Sequence, residues 1–346
     1  MDNSSHNIRQ ASLQDITNFL VSNGEKAFRA KQIWQWIWQR GVTDFEEMTN
    51  LSRTTRELLR QNWYFDCLEP VHIQTATDGT TKTAWKLYDG EIIESVLIPG
   101  NQKFTVCVSS QVGCKLGCKF CATGTLGFKR NLTYGEIFNQ VTAAKMAADA
   151  QGFPLSNIVF MGMGEPMLNY DNVLAAIERI TAEDGLAMSP YRITVSTAGI
   201  PDKIRQLADD GVRFNLAVSL HAAKENIRTS LMPINKAYCL KEVADSLKYF
   251  VEKTGTRPTF EYLLLKDIND SLEDAKALAL YCRQFPIKIN LIEYNNVEGS
   301  GFQHSPDKKR DEFVKYLENC NMVVNIRRSK GKDIDAACGQ LAAKEV

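Results

Sequence analysis

The fold of this chain is limited most by the rhythm of its residues after Pro99, where short apolar runs rich in β-branched side chains alternate with longer amphipathic stretches. The runs predicted as strands are Phe104–Ser109, Asn157–Gly162, Arg192–Ser196, Arg213–Leu220, Thr259–Leu265 and Lys288–Glu293, with a last apolar run at Met322–Ile326. Helix-like stretches separate them, and Thr133 with Glu136 three residues on marks one helix start as a capping box. Strand, helix, strand repeated this often requires parallel pairing through right-handed crossovers. The predicted class is α/β, a barrel or partial barrel of about six β/α units in roughly 250 residues, with a doubly wound open sheet as the alternative. Either architecture gathers ligands at the C-terminal ends of the strands.

Two smaller units precede this one. Residues 1–70 read as helical: Ile16, Phe19 and Leu20 give one amphipathic segment, and Phe28, Ile33, Trp34, Ile37 and Trp38 a second that Gly41 can end. Thr54 and Glu57 are placed to box the start of a third carrying Leu58, Leu59 and Trp63. Trp34, Trp36 and Trp38 cannot share one helix face, so at least one is left for a domain interface or a partner. Residues 71–98 read as a β-hairpin linker, with turns at Asp78-Gly79 and Asp89-Gly90 and flanking strands Thr83–Tyr88 and Glu91–Ile98. Glu94 lies between Ile93 and the apolar residues that follow, and faces either solvent or a pocket. Residues 99–346 form the main unit.

Composition narrows the function. With 41 basic and 41 acidic residues the formal charge is zero, which argues against coating nucleic acid through a global basic field. Local basic runs remain, Arg327, Arg328, Lys330 and Lys332 being the densest and Lys308, Lys309, Arg310 a smaller one. Hydrophobic residues at 44% and charged at 24% exclude collagen-like, disordered and coiled-coil chains. The longest uncharged stretch, Ala150 to Gly164, is broken by glycines and a proline, so no membrane span is expected. The start carries no secretion pattern, a cytoplasmic location is expected, and the nine cysteines are expected to be thiols, ligands or catalytic groups rather than a disulfide scaffold.

Directly after the first core strand comes Cys114-Lys-Leu-Gly-Cys118-Lys-Phe-Cys121, with Gly113, Gly117 and Gly124 around it. Three thiolates on a short glycine-laced loop can hold three corners of an iron–sulfur cubane and leave the fourth iron open to an exogenous ligand. Zinc would need a fourth ligand, normally from a second close pair that the sequence lacks. Other polar candidates fall at later strand ends: Gly164-Glu165-Pro166, then Ser196, then Ser219-Leu220-His221, and Asn295. Taken singly, each reads equally well as a turn or a structural side chain.

With an aromatic residue, Phe120, before its last cysteine, the C-x3-C-x2-C loop resembles the radical S-adenosylmethionine (SAM) superfamily. That resemblance implies one 4Fe–4S cluster held by Cys114, Cys118 and Cys121, whose open iron chelates SAM and whose reduction splits it to a 5′-deoxyadenosyl radical. Over the whole chain, the Phe28-Arg-Ala-Lys-Gln-Ile-Trp helix, Phe160-Met-Gly-Met-Gly-Glu-Pro, Ser219-Leu-His, Leu231-Met-Pro-Ile-Asn235 and Asp335-Ala-Ala-Cys338-Gly-Gln-Leu resemble the RNA adenine-C2 methyltransferases of the RlmN type. The implied fold is a partial (β/α)6 radical-SAM barrel with a helix-hairpin-helix-like RNA-binding unit at the N-terminus and a hairpin extension. The implied substrates are 23S rRNA and the tRNA adenosine next to the anticodon.

In that family SAM is consumed twice per turnover. A cysteine corresponding to Cys338 takes a methyl from one SAM, and the radical from the second makes it a methylene radical that adds to adenine C2, an electron-poor carbon closed to ordinary displacement. A cysteine corresponding to Cys107 then removes the C2 proton and forms a disulfide with Cys338, while Glu94 matches the family's proton acceptor. Gly164, Glu165, Ser196, Ser219, Leu220, His221 and Asn295 match its SAM contacts. The basic residues Arg327 to Lys332, Lys115, Lys119, Lys129 and Arg130 would rim the site for RNA phosphates. A reducing donor such as flavodoxin or ferredoxin, a monomeric state and a mobile Cys338 loop are also expected. The alternatives are C8 methylation of the Cfr type, a radical SAM activase, an electron carrier in which Cys107 closes the cluster, and a packing role for Cys107 in its strand. Cys67, Cys239, Cys282 and Cys320 are expected to pack.

Overall fold

The spatial order of the strands in the main sheet is their order in the chain. In the computed structural model, which describes residues 6–342, the strands are β1 (Glu69–Thr75), β2 (Thr81–Lys86), β3 (Ile92–Pro99), β4 (Phe104–Cys107), β5 (Leu155–Phe160), β6 (Ile193–Thr197), β7 (Asn215–Ser219), β8 (Thr259–Leu264), β9 (Lys288–Glu293) and β10 (Val323–Arg327). The outer ends of the first and last predicted units, residues 1–5 and 343–346, lie outside the described residues. Strands β1 to β4 pair antiparallel, and β4 to β10 pair parallel. A doubly wound sheet would reverse its order at a switch point, and none exists here. Winding in one direction by right-handed crossovers lays the helices on one face and leaves the other open, as a partial barrel requires.

Alternation along the strands divides the two faces. Ile158, Val195, Val218, Phe260, Tyr262 and Leu291 are buried in the apolar core. Their neighbours Val159, Ser196, Ser219, Glu261, Leu263 and Ile292 line a cavity on the opposite face. The hairpins turn where expected, with Gly79 and Gly90 in the left-handed region, but they are not a detached linker: β3 pairs with β4, so the sheet runs unbroken from hairpin to barrel.

The N-terminal unit contains α1 (Leu13–Ser22), α2 (Arg29–Trp38) and α3 (Arg53–Asn62). Ser52, not Thr54, caps α3, its Oγ accepting the Thr55 amide at 3.1 Å, while Glu57 pairs with Arg53. The earlier cap wins because Ser52 has the extended backbone a cap needs, whereas Thr54 is already helical. Arg9 docks the unit. Its buried guanidinium donates to the carbonyls of Ile37 and Val42, both at 3.0 Å, and lies against the rings of Trp38, Phe65 and Phe138. Trp38 stacks on Tyr134 and Trp34 Nε1 donates to Asp184, so two of the three tryptophans serve the interface between units. Tyr134 begins α4 (Tyr134–Ala150), whose start is the expected Thr133–Glu136 capping box.

Candidate active site

The cysteine loop is held at its neck by a two-stranded ribbon, Gln111–Gly113 against Phe128–Asn131, and by the Cys114 amide donating to Gly127 O at 2.8 Å. Only glycine can stand at 113: its φ is +71°, and a Cβ there would come within 1.8 Å of Gly127 O. The loop rests on the barrel through the Lys119 amide, which donates to Leu231 O at 3.0 Å. Burial raises all three thiols, Cys114 to about 11, and Cys114 and Cys121 further oppose ionisation of Cys118. The buried Arg228 is the cation that favours the Cys118 thiolate, and its guanidinium is itself fixed by Asn235 and Ala198 O, both at 2.6 Å. Among the described residues no three His, Cys, Asp or Glu converge tightly enough for a single ion. A cubane does not ask for that convergence, since each thiolate takes a different iron, and bound metal supplies the charge that ionises raised thiols.

Ten of the thirteen residues singled out in the sequence line one cavity over the loop: Cys114, Cys118, Cys121, Gly164, Glu165, Ser196, Ser219, His221, Cys107 and Cys338. Gly162 and Gly164 have an internal reason to be glycine. A Cβ at 162 would meet Val108 O at 2.7 Å, and Gly164, at φ +100°, would meet the Gln111 side chain at 2.5 Å, so both let β5 end against the chain leaving β4. Glu165 is buried with both oxygens on backbone amides, Met167 at 3.0 Å and Ala198 at 2.7 Å, which ties β5 to β6 and opposes the rise that burial imposes on its pKa. His221 takes the left-handed conformation, φ +56°, and its Nδ1 accepts the Leu263 amide at 3.0 Å. Burial and the charge of Arg228 lower its pKa to about 3, so the ring is neutral. Ser196 and Ser219 present hydroxyls with no hydrogen-bond partner among the described residues.

Leu220, Asn295 and Glu94 stand behind the lining. Leu220 is fully buried. Asn295 donates to Ser329 Oγ at 2.9 Å. Glu94 is buried in β3, paired with Lys82 at 3.1 Å, and its other oxygen accepts the Ala342 amide at 2.9 Å. It therefore holds the segment that carries Cys338. That segment is tied on both sides rather than loose: Lys82 Nζ donates to Asp335 O, Gly331 N to Asp78, Ala122 N to Gly339 O at 2.7 Å and Thr123 Oγ1 to Leu341 O at 2.6 Å. Cys338 lines the cavity, reached by solvent yet crowded by protein, and burial raises its thiol to about 11. Cys107, buried at the end of β4, is raised to about 12, first by burial and then by the nearby Cys338. Both are free thiols here, and Cys67, expected to pack, is exposed.

One acidic lining residue was not singled out in the sequence. Glu261, within the apolar β8, is part of the cavity lining; the signal was available as one acid in the run Phe260-Glu-Tyr-Leu-Leu. Of the basic rim, Arg327, Arg328 and Lys330 do line the mouth. Lys129, Arg130 and Lys332 are spent on ion pairs with Glu91, with Asp89 and Glu136, and with Glu293. Among the described residues no helix is long and apolar enough to cross a membrane.

Known proteins resemble this chain in sequence and fold. A family model described as the ribosomal RNA large subunit methyltransferase N-terminal domain matches residues 6–64, and one described as the radical SAM superfamily matches residues 108–279. A probable dual-specificity RNA methyltransferase RlmN of Flavobacterium johnsoniae is 48% identical over 339 residues, covering 98% of this chain and 97% of the relative. Its counterpart in Geobacillus kaustophilus is 44% identical over 338 residues, covering 98% and 93%. The crystal structure of a radical SAM methyltransferase from Sphaerobacter thermophilus superposes with a TM-score of 0.94 at 38% identity, over 98% of this chain and 100% of that one.

Proposed function

Since the chain belongs to the RlmN family of radical SAM RNA methyltransferases, we propose that it methylates C2 of adenosine in 23S rRNA and in tRNA next to the anticodon, through a methylated Cys338 and a covalent enzyme–RNA adduct. Family membership implies SAM and an iron–sulfur cluster. Cys114, Cys118 and Cys121 would hold one 4Fe–4S cluster, which when bound and reduced supplies an alkyl radical from SAM. Gly164, Glu165, Ser196, Ser219 and His221 would surround that SAM, with Leu220 and Asn295 supporting them from behind.

The remaining chemistry belongs to two thiols. Cys338, as thiolate, would accept the methyl group of one SAM, would lose a hydrogen from that S-methyl to the radical that a second SAM supplies, and would bond through the resulting carbon to C2. Cys107 would take the C2 proton, the adduct would give up its unpaired electron to the oxidised cluster, and the Cys107 sulfur would then displace the carbon from Cys338, an S–S bond replacing the S–C bond while the proton held by Cys107 goes to the freed carbon to complete the methyl group. A donor such as flavodoxin or ferredoxin would supply electrons. Glu94, holding the tail from behind the lining, is better suited to positioning Cys338 than to receiving a proton. The N-terminal unit and the basic mouth would bind RNA, whose target base must leave its stack to reach the cavity.

The observation that carries this reading is that Cys107 and Cys338, remote in sequence, line one cavity with the three loop cysteines, close enough for charge on Cys338 to oppose ionisation of Cys107. Mass spectrometry of adenosines from RNA treated with reconstituted enzyme tests it. The expected product is 2-methyladenosine, absent with Cys338→Ala; 8-methyladenosine, or any methylated adenosine from Cys338→Ala, would overturn it.

A further inference from the structure

Burying a carboxylate in the middle of a strand is costly unless every oxygen is matched. Glu261, 3% exposed, is hydrogen-bonded by a neutral amide at one oxygen and at the other faces only the half-exposed Arg327 guanidinium, 3.5 Å away. In the register of the sheet, Ser219, Glu261, Asn290 and Asn325 stand side by side on β7, β8, β9 and β10. Asn325 Nδ2 donates to Asn290 Oδ1 at 3.3 Å, and Asn290 Nδ2 to Glu261 Oε1 at 2.8 Å, a relay that fixes the carboxylate plane. The second oxygen, Oε2, is buried with no hydrogen-bond partner. The nearest charge is the Arg327 guanidinium at 3.5 Å, also on the cavity wall. An acceptor in want of a proton and a planar donor thus lie adjacent in the same pocket.

The cavity has two acidic poles. Glu165 is close enough to Cys114 and Cys118 to oppose their ionisation, and it serves the end where the loop cysteines lie. Glu261 opposes ionisation of Cys338 instead, and Arg327 favours the thiolates of both Cys338 and Cys107. Glu261 and Arg327 thus line the cavity beside Cys338 and Cys107, the thiols that on this reading hand carbon to the base, with the loop residue Cys121 also close to Cys338. Adenine's Watson–Crick edge offers the complementary pair, an amino N–H at N6 beside the lone pair of N1, and C2 is bonded to N1. A base gripped by that edge turns C2 towards the thiols beside Arg327.

Resting on the adenine-C2 reading, we infer that Glu261 and Arg327 form the base-reading subsite, Glu261 Oε2 accepting from the N6 amino group and Arg327 donating to N1. A site built to pair an amino group rejects an analogue without it by roughly 10⁴- to 10⁵-fold, because its own polar group is left unpaired. The test places two RNA hairpins in competition, one with adenosine and one with purine riboside at the target. With wild-type enzyme, adenosine should be preferred by roughly 10⁴-fold. Glu261→Ala should bring the ratio near one, and Glu261→Gln, which keeps an acceptor oxygen, should retain part of the preference. Equal use of the two hairpins by wild type, needing no variant, overturns the inference, and so does an undiminished preference in folded Glu261→Ala. Loss of SAM affinity in Glu261→Ala with base preference intact would assign the carboxylate to SAM instead. The position of the methyl is read from the same products: 8-methyl product defeats the C2 reading whatever the competition shows, and 2-methyl product without base preference defeats only the Glu261 assignment.

Discussion

His221 shows what burial does to one side chain. Its neutral ring is kept by a lack of water and by the Leu263 amide on Nδ1, and its pKa near 3 lies below the 6.5 of the unfolded chain. A group depressed in the folded state lets the unfolded chain bind the extra proton, so stability is complete above about pH 6.5 and falls as pH drops towards 3. Urea unfolding should therefore show wild type losing up to about 1.4 kcal/mol per pH unit more than His221→Asn between pH 6 and pH 4; parallel curves would remove His221 from the account. Cys107 makes a second residue-scale prediction. Cys107→Ala should trap an enzyme–RNA band that nuclease collapses, and without such a band Cys107 is a packing residue of β4. Spacing alone exposed the three loop cysteines, and resemblance to a family exposed Cys107 and Cys338. Glu261 escaped notice because which face a strand residue occupies depends on its neighbours in the sheet, and those are fixed only once the fold is known.

Elements were legible where local rules decide them. The Thr133–Glu136 box and both Asp-Gly turns appear as read, since caps and turns answer to a few adjacent residues. The α3 start moved from Thr54 to Ser52, two residues whose side chains qualify equally, and only the path of the preceding chain separates them. Glycines divide in the same way. Gly117 and Gly164 both have positive φ, but nothing lies within 4 Å of a Cβ at 117, whereas Gln111 lies 2.5 Å from one at 164. Gly117→Ala should then cost about 1 kcal/mol from backbone strain, and Gly164→Ala about 3 kcal/mol from strain plus displacement of the Gln111 segment. Equal losses in urea melts would show that the close approach of β5 is looser than drawn.

For the whole molecule, the parallel core was legible from alternation, and the continuity of the hairpins with it was not, because β3 pairing with β4 leaves no local signature. The docking of the N-terminal unit through Arg9 was equally silent, since a buried arginine looks like a surface one until its carbonyl partners are in view. The clasp on the C-terminal segment gives the prediction at this scale. Glu94→Gln weakens the pairing with Lys82 and the hold on Ala342, so amide exchange should accelerate across 331–342 while the barrel strands keep their protection. Exchange unchanged in that segment would leave Glu94 as a buried ion pair and nothing more.

Strand order that follows chain order has a bearing on biosynthesis. As the polypeptide leaves the ribosome, each new strand finds its partner already made, and the sheet can grow from one edge to the other without waiting for a distant piece. Segment 331–342, made after the sheet, returns to the hairpins and to the loop of three thiols, bringing Cys338 with it. A molecule in which segment 331–342 has not yet docked would hold the parallel sheet and the thiol loop without Cys338 in the cavity.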